Sequence, residues 1–573
     1  MMRSAKSHVV AFACLAIAGV CHALTPEPRI PLWPEGKTPD FRAPQTSPYI
    51  EWLPSPCQTS DVCVILISGG SYTCCCDGKW IDLTAEAFNA RGVSCVRLIY
   101  RTPRPAGLPI WKTAWEDGQR AVRLVRRAAA ARGIDPEKIG VFGYSAGAHL
   151  TALLATSSQT PAYDPVDEVD STPCHVAWAV PVYPAYLLDD GPTGPNARMG
   201  LFANLAPELK FDAKTPPMCF FHGGADPYSP LGSTAMCHKL RTMGIPAEMH
   251  LYAKGPHGFF TAKKGGRAEY QDRMFEWLLQ IGALGKPGAE VAFDARNADE
   301  SVTASREKFD LWPAGKMPSV QTNQTVTPYL EWFFPKDLRT RAIQMVFPGG
   351  GYIHLSTLKE GEAIARAFNS RGMTCVVVGY RVPRPVAMPK HQTAFEDAQR
   401  AIRMVRMEAA RRGLDPELIG GMGFSAGGHL TLMCATSSML PAYRAVDDVD
   451  KEPCHLNWAV PVYPAYVLTD GSNGANAAKG NGLDAMIVED FAFDPKTPPM
   501  CLLHGDADVY SAMGSVKTWQ KLRRMGLQSD LHVFATRGHC FYFKAAPGTG
   551  SYNWIGRIFD FFEAYGFNAP LKQ

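Results

Sequence analysis

The sequence predicts an α/β chain built as two copies of one domain, each a mostly parallel sheet flanked by helices. Three observations predict it. The length of 573 residues exceeds what one hydrophobic core organises. Motifs recur at an offset of about 280 residues: Leu32-Trp33-Pro34 returns as Leu311-Trp312-Pro313, Trp178–Pro184 returns unchanged as Trp458–Pro464, and Thr215–Cys219 returns as Thr497–Cys501. That offset is a domain length, not a solenoid period. Within each copy, short apolar runs alternate with helical stretches, as a parallel sheet covered on both faces requires.

The elements follow in order. Arg3 and Lys6 precede the apolar run Val9–Val20, and Cys21-His22-Ala23 supplies small residues for cleavage. Residues 1–23 therefore read as an export signal cut after Ala23; a lipidated Cys21 is the weaker reading, because Val20 is bulky for the position before it. The first domain is expected over 24–284, a polar linker over 285–308 and the second domain over 309–573. In the first copy, Val62–Ile67, Val93–Tyr100, Ile139–Tyr144, Val176–Tyr183, Pro217–Phe221 and Ala247–Tyr252 read as strands. Thr113–Arg132 reads as a helix ended by Gly133 and the Asp135-Pro136 turn. Its arginines Arg120, Arg123, Arg126 and Arg127 read as a solvated face. The second copy repeats the order.

A net charge of +4 gives no argument for nucleic acid or an anionic membrane. No run after the signal is long enough to span a bilayer, so an exported, periplasmic or secreted chain is expected. Cys95, Cys375, Cys219 and Cys501 lie in apolar runs and read as small buried hydrophobes. Cys57, Cys63 and Cys74-Cys75-Cys76 occur only in the first half, where export permits disulfides of unreadable connectivity.

The chemistry concentrates in four recurring places. Gly143-Tyr144-Ser145-Ala146-Gly147 and Gly423-Phe424-Ser425-Ala426-Gly427 stand between a strand and a helix. Glycines flank the serine because the turn is too sharp for neighbouring side chains. A serine needs a base to remove its proton, and the base needs an orienter. His257 and His539 are the candidate bases, Asp226 and Asp508 the candidate orienters, with equal Asp-to-His spacing in both copies. Asp506 is a rival to Asp508, but only Asp508 aligns with Asp226. Oxyanion donors are expected from the N–H groups of Ala146 and Ala426, and from Gly69 and Gly70 or Gly349 and Gly350 in the glycine-rich loops. His149 and His429 are expected to pack or bond locally, and His222 and His504 to brace the acid loops. Trp80, Trp111 and His354 are candidates for lining a substrate site.

These motifs resemble the bacterial α/β-hydrolase esterases that include acetylxylan esterases and feruloyl-esterase-like proteins. The resemblance rests on the Gly-rich loop with Tyr352, the segment Phe395–Ala401, the elbow Gly423–Leu430 and the Asp508 and His539 loops, and it covers nearly the whole mature chain, once per domain. It implies two tandem α/β-hydrolase domains and hydrolysis of short acyl esters, often acetyl groups on plant polysaccharides. Hydroxycinnamoyl esters are the close rival, and one catalytic domain beside one silent binding domain is the rival of another class. An acylated carbohydrate is the expected partner. The triads call for no cofactor and no metal, and nothing in the sequence sets an oligomeric state. The first copy departs at Ser68, at Ser71, at the Cys74-Cys75-Cys76 insert, and at Ala148 where the second copy has Gly428; the second has Cys540 where the first has Gly258. The second site is therefore expected to carry the larger share of activity.

Overall fold

The computed structural model describes residues 24–76, 78–189, 204–258, 267–292, 299–469 and 485–571. The segment read as an export signal, and most of the Gly/Asp/Asn-rich stretches at 189–196 and 469–481, lie outside the described residues. The first half runs β1 (Ile30–Pro31), β2 (Tyr49–Leu53), β3 (Cys63–Ile67), α1 (Lys79–Asn89), β4 (Ser94–Ile99), α2 (Lys112–Ala129), β5 (Ile139–Tyr144), α3 (Ala146–Thr156), β6 (Trp178–Val182), β7 (Met218–Gly223), α4 (Leu231–Thr242), β8 (Ala247–Tyr252) and α5 (Arg267–Gln280). After the short β9 (Val291–Ala292) the second half runs β10 (Thr303–Asp310), β11 (Tyr329–Pro335), β12 (Ile343–Phe347), α6 (Ala363–Asn369), β13 (Thr374–Gly379), α7 (Gln392–Ala409), β14 (Ile419–Phe424), α8 (Ala426–Thr436), β15 (Trp458–Val462), β16 (Cys501–Gly505), α9 (Met513–Arg524), β17 (Asp530–Phe534), β18 (Lys544–Ala545) and α10 (Trp554–Tyr565).

Each half is a mostly parallel sheet flanked by helices, as expected. Strands β3 to β8 run parallel, and β2 pairs antiparallel with β4. The two sheets are continuous. Strand β8 pairs antiparallel with β17, aligning Leu251 with Leu531, His250 with His532 and Met249 with Val533. One 16-stranded sheet results. The pairing satisfies an edge that each domain alone would expose. One face carries a single apolar core shared by both halves, and the other carries two separate ones.

The repeated motifs far apart in sequence meet in one buried network per domain. Trp33 donates Nε1–H to Asp117 at 2.7 Å, and the Arg101 backbone N–H and side chain bond the same carboxylate. Trp312, Asp397 and Arg381 repeat this in the second half. A charge with 0% side-chain exposure on both partners is tolerable only when paired and hydrogen-bonded. The network fixes the N-terminal segment and the chain after β4 against α2, behind the loops that form the site.

The structure departs from two expectations. The arginine face of α2 is not solvated: Arg120 is buried and bonds Asp167 at 2.6 and 2.7 Å and Asp170 at 2.9 Å, Arg126 is buried, and Arg127 alone is well exposed. The acidic 3₁₀ turn that covers this face lies almost 50 residues downstream, out of reach of a periodicity argument. Part of the stretch read as linker is strand β10, which pairs with β11 at the sheet edge. Its residues are almost all exposed, so they carry the charged composition of a linker. No disulfide joins any two of the described cysteines.

Candidate active site

The sharp turn after β5 holds Ser145 at φ 55°, ψ −118°, and the turn after β14 holds Ser425 at φ 53°, ψ −115°. That left-handed strain is retained only where the surroundings enforce it. The flanking glycines show why. A Cβ on Gly143 would meet the Gly147 carbonyl at 2.3 Å, and one on Gly427 would meet the Phe347 carbonyl at 2.0 Å. Strand, elbow and helix pack backbone against backbone, which lifts the serine hydroxyl above the strand ends.

The structure brings the six expected side chains together as two sets of three. Ser145 Oγ lies 2.8 Å from His257 Nε2, and His257 Nδ1 lies 2.8 and 3.0 Å from the Asp226 carboxylate. Ser425 Oγ lies 2.8 Å from His539 Nε2, and His539 Nδ1 lies 2.9 and 3.0 Å from Asp508. Both carboxylates are buried. Burial pushes each carboxyl up, but hydrogen bonds and charge from two histidines outweigh it. Asp226 is held below its ordinary value, and Asp508 is lowered to about 2. Each acid also accepts a backbone N–H at 2.8 Å, from Tyr228 or Tyr510. His222 and His504 tie the acid loops: each bonds a serine of the following helix, Ser233 or Ser515, and the carbonyl of Tyr228 or Tyr510. Asp506 is placed elsewhere, facing Arg241 across the domain junction.

Ala146 and Ala426 open α3 and α8, where an N–H has no intrahelical acceptor. The glycine-rich loops face them, and both have the same backbone. Gly70 and Gly350 stand at φ 129° and 130°, and Ser71 stands at φ 54° where Gly351 has 65°. The Cys74–Cys76 segment is not an insert. Cys74 N–H bonds the Gly70 carbonyl at 3.2 Å as His354 N–H bonds Gly350 at 3.2 Å, and Cys76 and Ser356 close the turn alike at 3.0 Å. The loops differ in one respect that sequence reasoning missed. Gly349 donates its N–H to Glu360 Oε2 at 2.7 Å, so of the two glycines expected as donors in that loop this one is engaged. Trp80 stands at the corresponding sequence position in the first half. Glu360 stands among other charged residues, Lys359 and Glu362, in the segment leading into α6, so nothing in the sequence marked it.

His149 and His429 accept the role of loop braces. Their Nδ1 atoms lie 2.8 and 2.9 Å from the hydroxyls of Tyr72 and Tyr352, which belong to the glycine-rich loops. Tyr186 and Tyr228 in the first half, and Tyr466 and Tyr510 in the second, form an aromatic wall beside His257 and His539 respectively. Among the described residues three other groups bring metal-capable donor atoms within 4.8 Å of one another: Cys219, Glu248 and His250; Cys501, Asp530 and His532; His391, His429 and Asp490. None contains a member of either Ser-His-Asp set. His250 and Glu248 are hydrogen-bonded to each other at 3.0 Å.

Known proteins match this chain over parts of its length. Endo-1,4-beta-xylanase B of Butyrivibrio fibrisolvens is 28% identical over 230 residues, covering 37% of this chain and 36% of that protein. An acetylxylan esterase of Xylanibacter ruminicola is 27% identical over 225 residues, covering 37% of this chain and 43% of that protein. The chain thus spans less than half the length of these curated relatives. Among solved structures, an acetyl ester-xyloside bifunctional hydrolase from Caldicellulosiruptor lactoaceticus matches at 26% identity and a TM-score of 0.38, over 46% of this chain and 97% of that one. The BD-FAE family matches residues 52–240 and again 330–521, well over half of the chain, and this protein belongs to that family, with the domain present twice.

Proposed function

We propose that this chain is an exported serine esterase with two acyl-transfer centres, acting on short acyl esters, chiefly acetyl groups, of plant polysaccharides or oligosaccharides. The observation that carries the reading is the hydrogen-bonded Ser-His-Asp relay, formed at 2.8 Å from serine to histidine in both halves. The acetyl and polysaccharide assignment draws its support from the acetylxylan esterase among the relatives.

The geometry performs the reaction in two steps. The histidine removes the proton from the serine hydroxyl as its oxygen attacks the ester carbonyl. The buried aspartate orients the ring and stabilises the imidazolium. Negative charge on the carbonyl oxygen is taken up by the N–H of Ala146 with the Gly69–Gly70 turn, or of Ala426 with Gly350. As the intermediate collapses, the histidine gives that proton to the departing sugar oxygen and the acyl group stays on the serine. Water, activated by the same histidine, releases the acid and restores the serine. No step calls for a metal.

The test is turnover of an acetylated xylo-oligosaccharide by the wild type, Ser145→Ala, Ser425→Ala and the double variant, with circular dichroism as the folding control. Each single variant should keep part of the activity, and the double variant should lose a factor on the order of 10⁶ in kcat. Activity persisting in a folded double variant would sink the assignment. A hydroxycinnamoyl ester run alongside separates the two acyl classes.

A further inference from the structure

The junction between the domains places an arginine of each half on the acid loop of the other. Arg241 lies in the last turn of α4, and Arg523 in the last turn of α9. Arg523 Nη1 donates to the Gly224 carbonyl. Arg241 Nη1 donates to the Asp506 carbonyl, and its Nη2 lies 3.4 Å from the Asp508 carbonyl. Gly224 and Asp506 each stand two residues before the acid, Asp226 or Asp508. The contacts are reciprocal, as the antiparallel pairing of β8 and β17 requires: what one half does to the other is returned.

Each acid loop is otherwise held by its own domain through its N–H groups. Gly224 N–H bonds the Tyr252 carbonyl at 2.6 Å, and Ala225 N–H bonds Gly255 at 3.1 Å. Asp506 N–H bonds Phe534 at 2.8 Å, and Ala507 N–H bonds Arg537 at 2.8 Å. These acceptors lead directly into the loops of His257 and His539, so the acid and base loops are stitched to each other. The carbonyl side of the stitch is closed from the other domain. A guanidinium suits it, since its donors lie in a rigid planar fork and it stays charged when partly buried. The second loop has a stronger hold. Arg241 also faces the Asp506 carboxylate at 3.5 Å, where the first half has Gly224. Burial pushes the Asp506 carboxyl up to about 6, against the pull of Arg241.

We propose that Arg241 and Arg523 are positioning residues acting in trans between the domains, each fixing the acid loop of the other site, so that neither site reaches full turnover without its neighbour. The proposal rests on the two Ser-His-Asp sets being the catalytic centres. It explains why the domains share a sheet at the β8 end in particular: this is the end beside the acid and base loops. A shift of the acid tilts the histidine ring and misaligns it with the serine, and misplacement on the ångström scale costs up to about 100-fold in rate.

The experiment isolates one site at a time in the full-length chain. Ser145→Ala leaves the second site, and Ser425→Ala leaves the first. Adding Arg241→Ala to the Ser145→Ala protein should lower kcat by roughly 10- to 100-fold, with KM within about twofold. In the Ser425→Ala protein the same change should leave kcat at its starting value. Arg523→Ala should show the mirror pattern with a smaller loss, and Arg241→Lys should restore part of the rate. Independently of activity, amide exchange over 505–508 should quicken in Arg241→Ala while that over 223–226 does not. Loss at both sites alike, or loss confined to the arginine's own domain, would overturn the proposal, as would unchanged kcat with unchanged exchange. If both single-serine proteins are inactive, the catalytic reading fails, and the exchange data alone decide the bracing.

Discussion

Ser71 shows how a residue's conformation, and not its type alone, decides what it costs. The sequence argument treats it as a lost glycine. In the structure it adopts the left-handed backbone of Gly351, at a strain of about 1 kcal/mol for a residue with a Cβ. A Cβ on Gly351 itself would meet nothing closer than the Tyr466 hydroxyl at 3.7 Å, whereas one on Gly350 would strike the His354 carbonyl at 2.0 Å. Gly351→Ser should therefore leave turnover at the second site within about threefold of its starting value, since no oxyanion donor is displaced. Gly350→Ala should lower it by about 10²–10³, and kcat measured in the Ser145→Ala protein checks both.

Asp508 gives a residue-scale dependence on pH. Its carboxyl falls from an ordinary 3.8 to about 2 in the folded chain. A depressed acid contributes stability above its unfolded value, and loses it as pH falls through the folded one. The contribution, roughly 2 kcal/mol, should disappear between about pH 4 and pH 2. Thermal unfolding across that window should be flatter in Asp508→Asn than in the wild type. An equal slope in both proteins would contradict the assignment.

At the scale of elements, the central strands were legible and the edges were not. Ile139–Tyr144 and Ala247–Tyr252 are read from the sequence with the ends the structure shows. Buried parallel strands are continuous apolar runs, and that is a local property. Strand β10 is exposed and charged, and β1 has two residues, so neither carries an apolar pattern. The junction was hidden for a different reason. Apolar periodicity does not say whether a strand lies at an edge or between neighbours. The available signal was the pairs Glu248 with His250 and Asp530 with His532, polar residues at matching places in otherwise apolar strands. They face each other across the junction, where His250 and His532 meet at 2.9 Å through their Nδ1 atoms. Asp530 accepts the Ala253 N–H at 2.8 Å, and Glu248 the Ala535 N–H at 3.1 Å. Asp530→Ala leaves the buried Ala253 N–H without its acceptor, a loss of about 1–3 kcal/mol, and chemical denaturation of the full chain should register it.

At the scale of the molecule, the sites were legible because their chemistry constrains sequence tightly: glycines that a Cβ would destroy, a serine between them, and an acid and base at strand ends. The partnership between domains was not legible, because Arg241 and Arg523 resemble any arginine in the last turn of a helix. The central claim is that one chain carries two competent nucleophiles. The most direct test is stoichiometric labelling with a serine-directed phosphonate, read by intact mass and by peptide mapping. The account predicts two adducts per chain, on Ser145 and Ser425, with each single alanine variant taking one. A wild-type chain that saturates at one adduct, or that is labelled at any other serine, would contradict it.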